Sequence, residues 1–326
     1  MANDTSPVVS VFMITYNHEK YIAEAIEGVI GQKANFKIRL FIGDDCSTDN
    51  TTKICMDYAA RFPDLITFIR TETNNIRVNS ANIFDACSTS GARYVAFCEG
   101  DDYWTDLYKL QKQIDFLDAH PDFSICFTGV AIKDEMGWNL PDTHYTPAAK
   151  KDVFSVEDFI LSYVSLIPTA TLVIRNLLPV PAPDVCLAMS GDVAIHILIA
   201  DTGKAKYLPD VTAVYRNHST GVTKSQLYYE KGNDELVKLL ITLNELLGFR
   251  HNATFRERLL HHAKVKLIFG AKGKKGLKKL KHYFNSIPDY LKYTDKINWK
   301  ELVYYHTILF FPFVLKMVKK KYSAEV

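Results

Sequence analysis

The stretch "YVAFCEGDDYWTD" spans residues 94–106. Its first four residues are apolar or aromatic, which predicts a short strand buried on both faces. Glu99, Asp101 and Asp102 follow within four positions. Carboxylates so close together repel one another and resist desolvation. Such a cluster at the end of a buried strand implies something for it to hold. An Asp–Asp pair in a loop is more often a solvated turn. The buried strand before this one and Tyr103–Trp104 after it set it apart.

Working outward, the stretch is the fourth member of a series. "VVSVFMI" (8–14), "IRLFIGDD" (38–45) and "ITFIRT" (66–71) read as earlier strands, and "FSICFTGVAI" (123–132) as a later one. Helical patterns separate them. "KYIAEAIEGVIGQ" puts Ile22, Ala25, Ile26, Val29 and Ile30 on one face. "STDNTTKICMDYAARF" supplies cap residues and then a helix. "NSANIFDACSTSG" predicts a short helix capped by Asn79 and closed by Gly91. "TDLYKLQKQIDFLDAHP" turns Leu107, Leu110, Ile114 and Leu117 inward.

Repeated strand–helix units predict an α/β fold, with a mainly parallel sheet and helices on both faces. Ligands bind such sheets beyond the carboxyl ends of the strands. The polar clusters fall there: "TYNH", "DDCSTD", "TETNN" and "EGDDYW" each follow a strand. Beyond residue 150 the pattern loosens. "SVEDFILSY" carries a capping box from Ser155 and Asp158. "TATLVIRN" predicts a strand, "SGDVAIHILIADTG" a helix with Asp192 in its first turn, and "AKYLPDVTAVYRNHST" a strand with a polar end. From about 225 the chain reads helical and grows rich in Lys.

The whole chain has 326 residues, 48% hydrophobic and 23% charged, enough for a sizeable core. Its formal charge of +2 conceals an asymmetry. Residues 251–326 hold 17 Lys/Arg against 5 Asp/Glu, whereas 1–250 hold 22 against 32. The six cysteines form no CxxC pair and lack zinc-site spacing, which predicts reduced core thiols in a cytosolic protein. The N-terminal stretch lacks the pattern of a signal peptide. No segment reaches the roughly 20 apolar residues of a spanning helix.

Adjacent carboxylates tolerate proximity when a hard cation lies beside them. Mg²⁺ or Mn²⁺ prefers oxygen ligands and commonly keeps waters and substrate phosphates in its shell. One or two carboxylates facing a diphosphate is therefore sensible chemistry. A nucleotide-binding oxidoreductase is disfavoured, because "TYNHEK" offers no glycine-rich turn after the first strand.

The segments "VVSVFMITYNHEKYIAEAIEGVIGQ", "IRLFIGDDCSTDNT" and "YVAFCEGDDYWTDLYKLQKQIDFL" together resemble family-2 glycosyltransferases of the GT-A fold. The match in order and spacing covers roughly 1–130 and continues more weakly to about 220. The resemblance implies an inverting transferase that moves a sugar from a nucleotide-diphosphate sugar, UDP-sugar favoured, to a hydroxyl of a glycan or lipid-linked acceptor. It implies a place in surface polysaccharide biosynthesis and dependence on a divalent metal, Mg²⁺ or Mn²⁺. Thr15, Tyr16 and Asn17 would contact the nucleotide, and Asp45 would accept from the base N3–H. Asp101 would contact the ribose, and Asp102 would coordinate the metal, joined by His218. Asp192 would be the catalytic base. The family's acidic site usually reads DxD or SDD, so Glu99 departs from it and has no assigned role.

Other readings stay open at this stage. Asp192 also suits a helix-dipole partner, and His218 a structural histidine. Asn17 and Ser47 suit turn caps as well as ligand contacts. Trp104 suits packing of helix on sheet, with sugar stacking the lesser reading. Arg216 suits diphosphate or a neighbouring carboxylate. A catalytically degenerate binder of a glycan or partner is the alternative function.

These readings divide the chain into a catalytic domain at 1–225 and a helical, Lys-rich region at 226–326. The first comprises a nucleotide half (1–130) and an acceptor half (131–225). The basic segment 264–326 suggests a membrane surface, giving a cytoplasmic protein, peripheral on the inner membrane face, or else a helical cover with Lys in water. Nucleic acid is disfavoured because no binding module accompanies the basic run.

Overall fold

The computed structural model describes residues 7–137, 151–162, 166–178, 184–187, 191–219 and 226–269. The chain divides after Leu239 into two compact units. In the first, the expected alternation is present. Strands β1 (Val9–Thr15), β2 (Ile38–Asp44), β3 (Ile66–Arg70) and β4 (Tyr94–Phe97) lie parallel, in the order β3–β2–β1–β4. Helices α1 (Ile22–Ile30), α2 (Thr51–Arg61) and α3 (Ile76–Thr89) connect them. β1 and β4 are almost wholly buried, as their unbroken apolar runs require. Helix α1 buries Ile22, Ala25, Ile26 and Val29, four of the five residues its periodicity assigned inward.

Three local expectations are corrected. Helix α3 begins earlier than the sequence suggested. Asn75 caps it, accepting from the Val78 amide at 3.4 Å, while Asn79 lies buried inside the helix and donates to the Gly43 carbonyl. Asn79 is needed there to satisfy a strand carbonyl. Gly91 closes the segment at φ 83°, a conformation that costs glycine little. Helix α4 (Lys109–Ala119) starts after Leu107, which is 43% exposed, and buries Lys109, Leu110, Gln113, Ile114 and Leu117. "TATLVIRN" gives one turn of 3₁₀ helix and only a short strand (Val173–Arg175).

The sheet continues through the less regular half. β5 (Tyr103–Trp104), β6 (Phe123–Asp134), β7 (Val153–Phe154), β8 (Val173–Arg175) and β9 (Lys204–Asn217) complete nine strands among the described residues. β8 slips between β4 and β6, antiparallel to both. β6 and β9 pair in parallel over most of their lengths, and the two-residue strands β5 and β7 pair antiparallel with β9. Helix α5 (Val156–Leu161) carries the expected capping box of Ser155 and Asp158, and α6 (Gly191–Ala200) the expected Asp192 in its first turn. Helices α7 (Gln226–Leu246) and α8 (Asn252–Phe269) follow. The stretch 302–315 and most of the basic segment 264–326 lie outside the described residues. Among the described residues no helix is long and apolar enough to cross a membrane.

Trp104 locks the acidic stretch onto the core. Its indole N–H donates to the Ala170 carbonyl at 2.7 Å, and α1 packs on its backbone at Gly28, where a Cβ would stand 2.9 Å from the Trp104 amide nitrogen. Beneath the indole lies Lys109, fully buried, its Nζ 4.4 Å from the ring centroid. Nζ donates to Gln113 Oε1 at 2.7 Å, and the Gln113 amide spans the carbonyls of Cys126 and Thr171. Trp104 thus has a packing role, and Lys109 is its buried support.

Burial holds the Lys109 ammonium down to about 7. The unfolded chain, with an ordinary lysine pKa near 10.4, therefore binds more protons between pH 7 and 10. Stability should rise with pH across that window, and Lys109→Met should flatten the rise. Thermal midpoints of the two proteins at pH 7, 8, 9 and 10 check this. An equal slope in both would show that another group sets it.

Candidate active site

Backbone pairing places the acidic turn. The strand geometry of β4 runs on past Phe97, since the Cys98 amide donates to Phe12 O and the Gly100 amide to Ile14 O, at 3.0 and 2.9 Å. Gly100 therefore lies against β1. A Cβ there would stand 2.7 Å from Thr15 Oγ1 and 2.8 Å from Thr15 Cβ, so only glycine fits. Glu99, Asp101 and Asp102 are fixed at the end of β1 and face different partners.

Asp102 is buried, 2% exposed. Its Oδ1 accepts the backbone N–H of Arg216 on β9 at 2.9 Å. Desolvation, then the charges of Asp101 and Glu99, push its carboxyl well above the ordinary range. One oxygen of this carboxyl thus braces the acidic turn against β9. The resemblance gives Asp102 a metal role, and its Oδ1 is engaged by the β9 backbone.

Asp101 faces the open side. Its Oδ2 lies 3.0 Å from His218 Nε2 and 3.7 Å from His18 Nε2. Desolvation works to raise its carboxyl, but the His218 hydrogen bond and the charges of His18 and His218 outweigh it and hold Asp101 below the usual value. His18 is lowered, by burial first, against the pull of Asp101. Its Nδ1 is buried without a partner. Among the described residues no group of three His, Cys, Asp or Glu side chains stands ready to enclose a metal. A carboxylate with one imidazole is nonetheless a fitting partial shell for a cation that draws its other ligands from substrate oxygens and water.

Glu99 is partly exposed and its carboxyl is pushed up to about 8, by desolvation first, then by Asp101 and Asp192. That influence brings Asp192 into the electrostatic neighbourhood of the acidic turn. Asp192 is partly buried at the start of α6. One turn below it, His196 is 2% exposed, and burial holds it down to about 4 with Asp192 opposing.

The second loop forms the other wall. The Asp45 carboxylate accepts from the Asn75 amide (2.7 Å), Asn74 Nδ2 (3.1 Å) and Thr71 Oγ1 (3.3 Å). Asp44 instead faces inward and serves the loop. It accepts from Ser47 Oγ at 2.5 Å and from Thr52 Oγ1, and pairs with Arg70 at 3.6 Å. Asn17, at φ 54°, donates its amide to Ser47 Oγ and accepts the Thr48 amide on its side chain. These contacts show Asn17 and Ser47 building the turn. Thr15 is buried with an unpartnered hydroxyl, and Tyr16 stands 41% exposed beside it.

Arg216 pairs with carboxylates of the protein. Its side chain is 2% exposed. Nη1 donates to the Asp101 carbonyl at 2.5 Å, Nη2 to the Glu24 carboxylate, and Nε stands 3.9 Å from Glu135. The guanidinium lies 4.3 and 5.0 Å from the Tyr103 and Tyr21 ring centroids. Tyr21 donates to Glu135 at 2.7 Å and packs 4.9 Å from the His218 ring.

The profile of Glycosyl transferase family 2 matches residues 10–176. This chain belongs to glycosyltransferase family 2. The enzyme is 38% identical over 259 residues to an uncharacterised protein of Mycobacterium tuberculosis, covering 77% of this chain and 71% of that one. It is 31% identical over 141 residues, 43% of this chain and 54% of the other, to TuaG of Bacillus subtilis, which carries the name of a teichuronic acid biosynthesis glycosyltransferase. Among solved structures it resembles S. aureus TarS 1–349 in complex with UDP-GlcNAc, with TM-score 0.60, 18% identity, and 87% and 81% of the two chains covered. The glycosyltransferase thus has the GT-A fold that its sequence implied.

Sequence reasoning left His18, Tyr21, Glu24 and Glu135 without a role. His18 stands in the strand-end segment "TYNH" and shared the signal that singled out Tyr16. Glu135 directly follows β6, which runs two residues beyond its expected stop. Nothing local marks Tyr21 or Glu24, which lie on the expected α1 segment.

The close fit at Gly100 yields a prediction. Gly100→Ala must push the acidic turn off β1, and should lower stability by about 1–3 kcal/mol, as overpacking typically does. The urea midpoint measures the loss. A wild-type midpoint would mean the turn can yield without cost.

Proposed function

We propose that the enzyme transfers a sugar from a nucleotide-diphosphate sugar to a hydroxyl of a glycan or lipid-linked acceptor, with inversion, in the synthesis of a surface polysaccharide. The observation that carries this reading is the convergence of Asp45, the Asp101–His218 pair and Asp192 on one edge of the sheet.

Asp45 supports the donor class. Three protein donors already point at its oxygens, so the remaining lone pairs can only accept. A base edge with a ring N–H suits it: uracil or thymine at N3, guanine at N1. Cytosine and adenine present an acceptor nitrogen there. Tyr16, exposed next to it, offers a ring for stacking, and the Thr15 hydroxyl has a hydrogen bond to give.

Asp101 and His218 would hold a divalent cation, Mg²⁺ or Mn²⁺, beside Asp102, to which the resemblance assigned the metal. When bound, such an ion offsets the negative charge gathering on the departing diphosphate. Asp101 is then a metal ligand before it is a ribose contact. Asp192 would take the proton of the acceptor hydroxyl as its oxygen bonds to the anomeric carbon and the bond to the diphosphate breaks. One such displacement inverts the anomeric centre. The partial homologue TuaG supports a polymer product by its name.

A panel of nucleotide sugars with Mn²⁺ tests the donor. A ligand that binds only the folded state raises the thermal midpoint. UDP-, dTDP- or GDP-sugars should stabilise the protein, and CMP- and ADP-sugars should not. Stabilisation by an ADP-sugar alone would remove the role given to Asp45.

Two variants test the chemistry. Asp192→Asn should keep the donor-induced shift and lower kcat by about 10²–10⁴-fold, the usual worth of a general base. Asp101→Asn should abolish the Mn²⁺-dependent part of the shift. Loss of donor binding in the first variant, with turnover spared, would place the base elsewhere.

A further inference from the structure

We propose that Arg216 is a positioning residue that sets the spacing of the two metal-holding side chains, Asp101 and His218. This inference rests on the metal reading given above. Asp101 belongs to the acidic turn after β4, and His218 follows the end of β9. The short β5–β9 pairing brings the two segments together, and Asp101 and His218 meet at 3.0 Å. Arg216 adds two ties across that junction, close to His218 in the chain. Its backbone N–H holds Asp102 Oδ1 at 2.9 Å, its Nη1 holds the Asp101 carbonyl at 2.5 Å, and His218 follows it by two residues on the same chain.

The guanidinium is itself fixed from outside the turn. Glu24 on α1 takes Nη2, and the rings of Tyr103 and Tyr21 flank its plane. Tyr21 also packs against the His218 ring, 4.9 Å away, and is oriented by its bond to Glu135. One planar fork therefore ties the acidic turn to α1, while an aromatic neighbour of that fork steadies the imidazole. Lysine can carry the charge but not the two-pronged geometry. A side chain that orients metal ligands typically changes metal affinity 10–100-fold when replaced.

The experiment uses the full chain with UDP and Mn²⁺. Free Mn²⁺ is read by its electron paramagnetic resonance signal during titration in the presence of UDP. UDP binding is measured separately in EDTA by calorimetry. In Arg216→Lys, Mn²⁺ affinity should fall at least about 10-fold while UDP affinity in EDTA stays within about 2-fold of wild type. A merely structural role would lower both together, and that result overturns the inference, as does unchanged Mn²⁺ affinity. Should Arg216→Lys fail to fold, Glu24→Gln removes one anchor of the fork, and a fall of about 3-fold or more in Mn²⁺ affinity is then expected. Wild-type Mn²⁺ affinity in Glu24→Gln overturns it equally. A wild-type protein that takes up no Mn²⁺ with UDP removes the metal reading, and the inference falls with it.

Discussion

Three carboxylates within four residues, at the end of a strand buried in the core, cannot share one environment. Their mutual repulsion is the constraint that the rest of the site answers. The fold separates them by partner. Asp102 is given to the backbone of β9, Asp101 to two imidazoles, and Glu99 to a partly exposed position where it stays protonated more readily than an ordinary carboxyl. Each solution uses a different segment, so the acidic turn ties much of the first unit together. The tight seat of Gly100 on Thr15 then fixes the height of the turn above the sheet.

The same logic governs the second acidic pair. Asp44 ends β2 and Asp45 follows it into the loop, and the two take different partners. Asp44 enters the loop that it organises with Ser47, Thr52 and Arg70. Asp45, also buried, has its acceptor character fixed by Thr71 and two asparagines. A pair of adjacent acids thus divides between two different sets of partners. At 101–102 the division recurs, with Asp102 on the β9 backbone and Asp101 on His218.

Much of this was legible. The four parallel strands, the inward face of α1, the capping box of α5 and the position of Asp192 in α6 follow from apolar runs and cap residues. The placement of "TYNH", "DDCSTD" and "EGDDYW" at strand ends follows from the same runs. The antiparallel β8 between β4 and β6 was not legible, because pairing direction depends on where a chain returns and not on its local period. Nor was the work of Asn79, whose amide answers the carbonyl of Gly43, 36 residues away.

The sequence by itself determined that this chain builds an α/β sheet with acids along its carboxyl edge. Periods of two and 3.6 residues are local properties, and so is the crowding of Glu99, Asp101 and Asp102. Only the tertiary structure decided which acid does what. The partner that claims Asp102 lies 114 residues further on, at Arg216. Asp101 is selected for the open side because His218 and His18 reach it from two other strand ends. A carboxylate's role is set by the groups that surround it after folding, and those groups come from segments that share no local pattern with it.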